Sequence, residues 1–238
     1  MKGKIQIHKV CNISQIPRPI DTYVYINALS WFKNNVITIN ETKIPMYEVS
    51  PYYLKDENGY IFGNIWQGSK IYPTVIEQKQ IFNNKVIWSH PNEVHVDTNG
   101  VTTEKYWSWR QKIFSNPYPI RYPNGYEGRK KCLGLITEIN GELSLLNYID
   151  ARKYVYVREY ARLVKETQAF KLLKKLIDTG VNLQIADIDV PGKVNDGGFE
   201  MTEDMYVKWL NDSSLAFGHV WTLSALLLDI DIDTIIQC

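Results

Sequence analysis

Residues 50–70 constrain this chain more than any other stretch. The aromatic pair Tyr52-Tyr53 and the run Tyr60-Ile61-Phe62 flank Asp56-Glu57-Asn58-Gly59. Asn-Gly tolerates positive φ at both positions, so a hairpin turned at that tetrapeptide is expected. It delivers the chain to Gly63-Asn64-Ile65-Trp66-Gln67-Gly68-Ser69-Lys70, which reads as a helix capped by Asn64. Over roughly two turns, Asn64, Gln67 and Ser69 or Lys70 then share one side, with Ile65 and Trp66 packing beneath. A segment built only for a core does not need that polar content. The stretch is expected to line a pocket.

Composition narrows what the rest can be. At 238 residues, 45% hydrophobic and 22% charged, the chain has apolar material for one large domain and does not resemble a disordered polymer. The layout expected is an arm over residues 1–20, ending in Ile16-Pro17-Arg18-Pro19, then a single domain over residues 21–238. A formal net charge of +1 makes no general case for coating a nucleic-acid backbone or an anionic membrane. Cys11, Cys132 and Cys238 include no CxxC pair and indicate neither a zinc knuckle nor a disulfide framework, which fits a reducing, cytoplasmic setting. No apolar h-region opens the chain and no run approaches the ~18 apolar residues of a membrane span, so no membrane partner is expected. No metal or cofactor is expected either. The abundance of Ile, Asn, Lys and Tyr hints at an AT-rich coding source.

Taken in order, Tyr23-Val24-Tyr25-Ile26-Asn27-Ala28 and Val36-Ile37-Thr38-Ile39 read as strands, or as a short helix and a strand. A polar helical turn is expected around Glu77–Gln80, followed by Val86-Ile87-Trp88 and a period-two run in which Glu93, His95 and Asp97 share a face. Trp88, His90 and Glu93 are candidates for a ligand site there, against the plainer reading of a solvated face. The aromatic and basic knot Tyr106-Trp107-Ser108-Trp109-Arg110 reads as helical. Residues 115–128, with three prolines and three tyrosines, form a long loop containing Arg121. Trp107, Arg110 and Arg121 can stack bases and neutralise phosphates, or simply brace the loop.

Asn140-Gly141 predicts a second hairpin between Cys132-Leu133-Gly134-Leu135-Ile136 and Glu142-Leu143-Ser144-Leu145-Leu146. Helices follow, one on Tyr154, Val157, Ala161 and Val164, one from about Gln168 to Asp178 with Gly180 as its stop. Leu183, Ile185, Asp187 and Asp189 share a strand face, and the two carboxylates either emerge at the sheet edge or sit partly buried. Thr202 caps a helix through Trp209, and Phe217 to Asp229 reads as a buried final helix with His219 in its first turn. The dipole there disfavours a charged imidazole. The tail reads as a short strand or frayed end. The fold expected is α+β, with small antiparallel strands and a helical C-terminal third.

Three stretches in order resemble the NADAR superfamily, the YbiA-like fold. Ser50-Pro51-Tyr52 through Lys70 is similar to that family's Ser-Pro-Phe, turn, Glu-His-Tyr-Tyr-Gln-Ala-x-Lys pattern, with Trp66 at an aromatic position, Gln67 at the Gln and Lys70 at the Lys. Residues 170–189 are similar to its helix, Thr-Gly turn and acidic strand, and residues 218–228 to its closing apolar helix. The resemblance implies a pocket for an ADP-ribose-linked or N-glycosidic substrate. It places the family's catalytic Glu on Gly63, so the acid must come from elsewhere, with Asp187, Asp189 and Glu93 the candidates. The function expected is N-glycosidic-bond chemistry on a nucleotide, an ADP-ribose adduct or a modified base. The alternatives are a nucleotide- or ADP-ribose-binding module without catalysis, for instance in a phage–host setting, and a nucleic-acid-binding protein. Asn64, Trp66, Gln67, Ser69, Lys70, Trp88, His90, Trp107, Arg110, Arg121 and His219 are the expected binding residues.

Overall fold

A computed structural model describes residues 1–10, 22–29, 35–39, 41–75, 78–82, 86–90, 93–120, 132–139, 141–190, 198–215 and 217–237, with backbone alone for 74–93. The protein is mixed α+β with several small sheets. Its strands are β1 (Ile5–Lys9), β2 (Tyr23–Asn27), β3 (Val36–Ile39), β4 (Thr42–Pro45), β5 (Lys70–Ile71), β6 (Thr74–Val75), β7 (Gln78–Phe82), β8 (Val86–His90), β9 (Glu93–Val94), β10 (Gly134–Ile139), β11 (Glu142–Leu146), β12 (Asn182–Asp187) and β13 (Phe199–Glu200). Its helices are α1 (Phe62–Gly68), α2 (Glu104–Phe114), α3 (Tyr148–Ala151), α4 (Arg158–Val164), α5 (Gln168–Asp178), α6 (Glu203–Asn211), α7 (His219–Leu227) and α8 (Ile232–Gln237). A π-helical turn, Arg152–Val157, joins α3 to α4. Two compact units result, one of Met1–Pro51 with Val157–Cys238, the other of Tyr52–Tyr156.

In the first unit the strand order is β13-β1-β12-β2. β12 runs parallel to both neighbours, with Ile185 opposite Ile7 on one side and Ile26 on the other. A strand paired on both edges and covered on both faces must be apolar or satisfied throughout, and Leu183 through Asp187 are all buried. The antiparallel expectation therefore fails for the main sheet, where only β13 runs against β1. The stretch expected as an N-terminal arm also contains β1. Its alternation of Ile5 and Ile7 with Gln6 and His8 is a strand period, obscured by flanking lysines.

Thr167 caps α5 by accepting the Phe170 N–H, and Gly180, at φ +92, ends it as expected. Phe170, Leu173 and Ile177 form the buried stripe of α5, which packs on β4, β12 and α7. Full burial of each such side chain is worth about 1.5–3 kcal/mol. Every residue of α7 is buried, as its all-round apolarity predicts. The acidic tail departs from expectation: it forms α8, because Ile232, Ile235 and Ile236 fall at helical spacing and turn inward.

In the second unit β10 and β11 form the predicted hairpin, with Gly141 at φ +84, and β5 extends it as β11-β10-β5. The hairpin expected around Asp56 closes through one bridge, Lys55 to Ile61, because the Asp56 side chain accepts the N–H groups of Asn58 and Tyr60 and tightens the turn. Instead of a helical turn around Glu77–Gln80, β7 pairs with β8. The β-branched and aromatic Ile81-Phe82 fit a pleated ladder better than a helix. Helix α2 forms where the aromatic and basic knot predicts it, and Tyr106, Trp109 and Ile113 join Ile71, Tyr72, Ile120 and Ile136 in one core.

Gly3 shows how closely the first unit is packed: a Cβ there would lie 2.0 Å from the Val181 carbonyl oxygen. Gly3→Ala must push backbone against backbone, an overpacking cost of about 1–3 kcal/mol. The expected outcome is a fall in Tm of a few degrees, read by calorimetry. An unchanged Tm would show that this contact is not tight.

Candidate ligand-binding site

Helix α1 begins at Phe62, two residues ahead of the predicted Asn64 cap, and Ile61 precedes it without a side-chain cap. Asn64 is instead fully buried within the helix. Its amide Nδ2 donates to the carbonyls of Asn116 and Tyr118, both at 3.0 Å, and its Oδ1 accepts the Ile120 N–H at 2.7 Å. All the groups of this side chain seen to bond go to the 116–120 backbone, so it clamps that segment and is not a pocket residue. Ser69 is likewise buried at the helix end, where its carbonyl takes the Tyr106 hydroxyl and the Ile136 N–H.

With α1 so fixed, Trp66 meets Tyr156 edge-on, centroids 5.0 Å apart, and Tyr148 at 6.2 Å. Lys70 opens β5 rather than continuing the helix. Its ammonium stands 5.1 Å from the Trp66 ring centre and donates to Gln67 Oε1 at 2.8 Å. Trp66, Gln67 and Lys70 therefore come together, although helical spacing put Trp66 beneath the polar side, and Tyr148 and Gln67, both half-buried, are the cluster's more accessible members. Lys70 also acts on Cys132: burial raises the thiol's pKa, and the nearby ammonium opposes the rise.

Three members of this cluster were not among the expected residues. Arg152 is 1% exposed, with its guanidinium 5.0 Å from the Tyr148 ring centre. Tyr148 and Tyr156 stand four residues to either side of it, an aromatic–Arg–aromatic spacing that is a readable helical signal. The π turn hides it, because periodicity counted on Tyr154, Val157 and Ala161 assumes regular helix throughout. Tyr154 is in fact exposed and Val155 and Tyr156 are buried.

The other second-unit candidates lie apart from this group or outside the described side chains. Arg110 stacks on Trp107 at 5.4 Å and Phe114 at 4.9 Å, within α2, and its charge lowers the pKa of Tyr106, which burial pushes up to about 12. His95 is fully buried against Tyr106 and Trp109, while Asp97 folds back onto the N–H groups of Asn99 and Val101. These two do not form the shared acidic and imidazole face that period two suggested. The side chains of Trp88, His90 and Glu93, and all of Arg121, lie outside the described residues.

Asp187, Asp189 and His219 belong to the first unit. Asp187 is the last residue of β12 and is 3% exposed, so it is buried rather than emerging at the edge. Its Oδ2 is 3.7 Å from His219 Nδ1, longer than a hydrogen bond. Gly218 lets α7 begin this close: a Cβ there would lie 2.8 Å from Asp189 Cβ and 3.0 Å from Asp187 Oδ2. Burial pushes the His219 pKa down to about 4, the Ala28 backbone bond opposing it, so the imidazole is neutral at pH 7. Tyr160, whose hydroxyl donates to the Val49 carbonyl at 2.6 Å, packs edge-on to His219 and has its pKa raised by burial and by the charge of Asp187. Such a group keeps the Tyr160 hydroxyl protonated and the imidazole uncharged at pH 7.

Among the described residues, no group of three or more His, Cys, Asp or Glu is placed to hold a metal ion, and no helix is long and apolar enough to cross a membrane. Comparison of the chain with protein-family models, curated protein sequences and solved structures finds no match.

Two outcomes follow. Asn64→Ala leaves the buried Ile120 N–H without its partner, at a cost of about 1–3 kcal/mol, and frees the less buried Asn116 and Tyr118 carbonyls; it is expected to lower stability by about 1–3 kcal/mol in urea titration, and an unchanged stability would contradict the clamp. For His219, the unfolded chain binds a proton near pH 6.5 and the folded one only near pH 4. Stability therefore falls as pH drops through that window, by up to about 1.4 kcal/mol per unit. His219→Gln is expected to flatten that part of the curve, and an unchanged slope would show that another group titrates there.

Proposed function

We propose that the protein recognises a nucleotide or ADP-ribose-type ligand through the Trp66 cluster of its second unit. The observation that carries this reading is Lys70 poised over Trp66 while bonded to Gln67. An indole offers a face for a purine or pyrimidine, an amide offers a donor and an acceptor for its edge, and an ammonium offers charge for an anionic group. The resemblance of residues 50–70 to the NADAR pattern supports the same three positions. Stacking of a base on an aromatic side chain is worth about 1–3 kcal/mol. Trp66→Ala is therefore expected to weaken binding of ADP-ribose about tenfold or more by calorimetry, with Tm recorded alongside. Wild-type protein that binds none of adenosine, AMP, ADP and ADP-ribose would sink the proposal.

A second reading, N-glycosidic cleavage, is favoured by one observation in the first unit: a buried carboxylate, Asp187, beside a neutral imidazole, His219. Cleavage of such a bond passes through an oxocarbenium-like state that a carboxylate stabilises, and water attack needs a base. Gly63 cannot serve, and it is buried in the first turn of α1. The expectation is release of free base from NAD or an ADP-ribosylated substrate, seen by chromatography, and at least ~100-fold slower release in Asp187→Asn, within the range for losing a positioned acid or base. Binding without turnover by the wild type would leave the protein a recognition module. The nucleic-acid reading rested on Trp107, Arg110 and Arg121. The first two are engaged with one another and with neighbouring core residues, which favours a bracing role.

A further inference from the structure

The sheet β11-β10-β5 ends in a strand whose outer edge carries two leucines that the core does not use. Among the described residues β11 pairs with β10 alone, and Leu143 and Leu145 are each 60% exposed. Their side chains share a face. On it Leu145 stands opposite Ile136 and Leu143 opposite Glu138. Ile136 belongs to the second unit's core, so the two leucines carry an apolar surface past the point where that core ends. The backbone is turned outward as well. Ile136 donates its N–H to the Ser69 carbonyl, on the β5 side, so its ladder groups face away from β11. Antiparallel pairs alternate between bonded and non-bonded. Ile136–Leu145 and Glu138–Leu143 are therefore the non-bonded pairs, and the N–H and C=O groups of Leu143 and Leu145 point to the open edge. Such an edge is a template for another strand, and native proteins usually blunt it with Lys, Pro or inward-pointing charge. The strand Glu142-Leu143-Ser144-Leu145-Leu146 has one charge, at its first residue.

We infer that β11 is a self-association edge, pairing antiparallel with β11 of a second copy of this chain about a two-fold axis at Ser144. The strand's own sequence selects that occupant. Centred on Ser144, Leu143 lies opposite the partner's Leu145 and Leu145 opposite the partner's Leu143, in bonded pairs. One symmetry operation thus satisfies the outward backbone groups of both leucines in both chains and gathers four leucines on one face. Charge selects the register. With the axis at Ser144, Glu142 and the partner's Glu142 stand four residues apart along the strands, roughly 13 Å, beyond the screening length of about 8 Å at physiological salt. An axis at Leu143 halves that separation, and in-register parallel pairing sets the two carboxylates side by side, which is destabilising. The contact is short, bounded by the turn at Gly141 and the start of α3 at Tyr148. Two leucines and a five-residue edge on each side fall well short of the ~1,200 Å² that a stable interface buries. The dimer therefore forms and dissociates with concentration, and nothing in it depends on the ligand proposed above.

The test is analytical ultracentrifugation of the full chain from micromolar to millimolar concentration. Wild type is expected to pass from monomer to dimer across that range. Leu143→Lys puts an ammonium on the exposed edge and removes no ladder bond to β10, so it is expected to weaken association about tenfold or more with Tm unchanged. A crosslink checks the register. Ser144 faces the partner's Ser144 in a non-bonded pair, with Cα atoms about 4.5 Å apart, within reach of a disulfide. Ser144→Cys is expected to give a covalent dimer on mild oxidation, with the disulfide mapped to the introduced position by mass spectrometry, and Glu142→Cys is not. Wild type that stays monomeric throughout overturns the inference and leaves the edge to a strand of another protein or to none. A dimer that Leu143→Lys leaves intact, or that Ser144→Cys does not crosslink, lies on another surface or in another register and also overturns it. Should Leu143→Lys fail to fold, the crosslinking pair decides.

Discussion

The second unit depends on one buried amide. Asn64 sits inside α1 with no exposed surface and spends its side chain on three backbone groups between Asn116 and Ile120. A polar side chain in that position is costly unless fully satisfied. Once satisfied, it permits few alternatives, since rotating or sliding α1 breaks three bonds together. Everything near the candidate site inherits that constraint. Trp66 follows Asn64 by two residues and is turned toward Tyr148 and Tyr156, and Ser69 ends the helix under the Tyr106 hydroxyl. Lys70 then enters β5 beside Leu135 of β10, with its ammonium returned over Trp66.

The first unit has a comparable organiser in β12. Parallel pairing on both edges forces the strand inward along its whole length, and its last residue, Asp187, goes inward with it. Apolar neighbours alone would leave that carboxylate expensive to bury. The start of α7 offers a helix N-terminus and the His219 ring instead, at a distance only a glycine at position 218 allows. The neutrality of His219 follows from burial more than from any partner.

How much of this was legible in the sequence depended on how local the cause was. The hairpin at Gly141, the Thr202 cap, the Gly180 stop and the apolar α7 are all set by residues within a few positions of one another, and each was readable. The parallel sheet was not, because β1 and β12 are joined only by long-range pairing, and a short alternating strand beside lysines carries a weak signal. Gln67 and Lys70 were readable on one side from spacing, and Trp66 was joined to them only by the NADAR resemblance. Asn64 was misread because a cap and a buried clamp call for the same residue type, and only the distant 116–120 segment tells them apart. Arg152 was missed because its helix changes period at that residue.

The function therefore turns on whether the ring-and-cation cluster of the second unit is a binding surface or only a well-packed core. Photo-crosslinking with an 8-azidoadenosine diphosphate, followed by proteolysis and mass mapping of the labelled peptide, addresses this most directly. Nucleotide recognition at the cluster predicts adducts on peptides containing Trp66 and Lys70 or Tyr148 to Tyr156, suppressed by excess ADP. Labelling confined to other peptides, or labelling that ADP does not suppress, would contradict it.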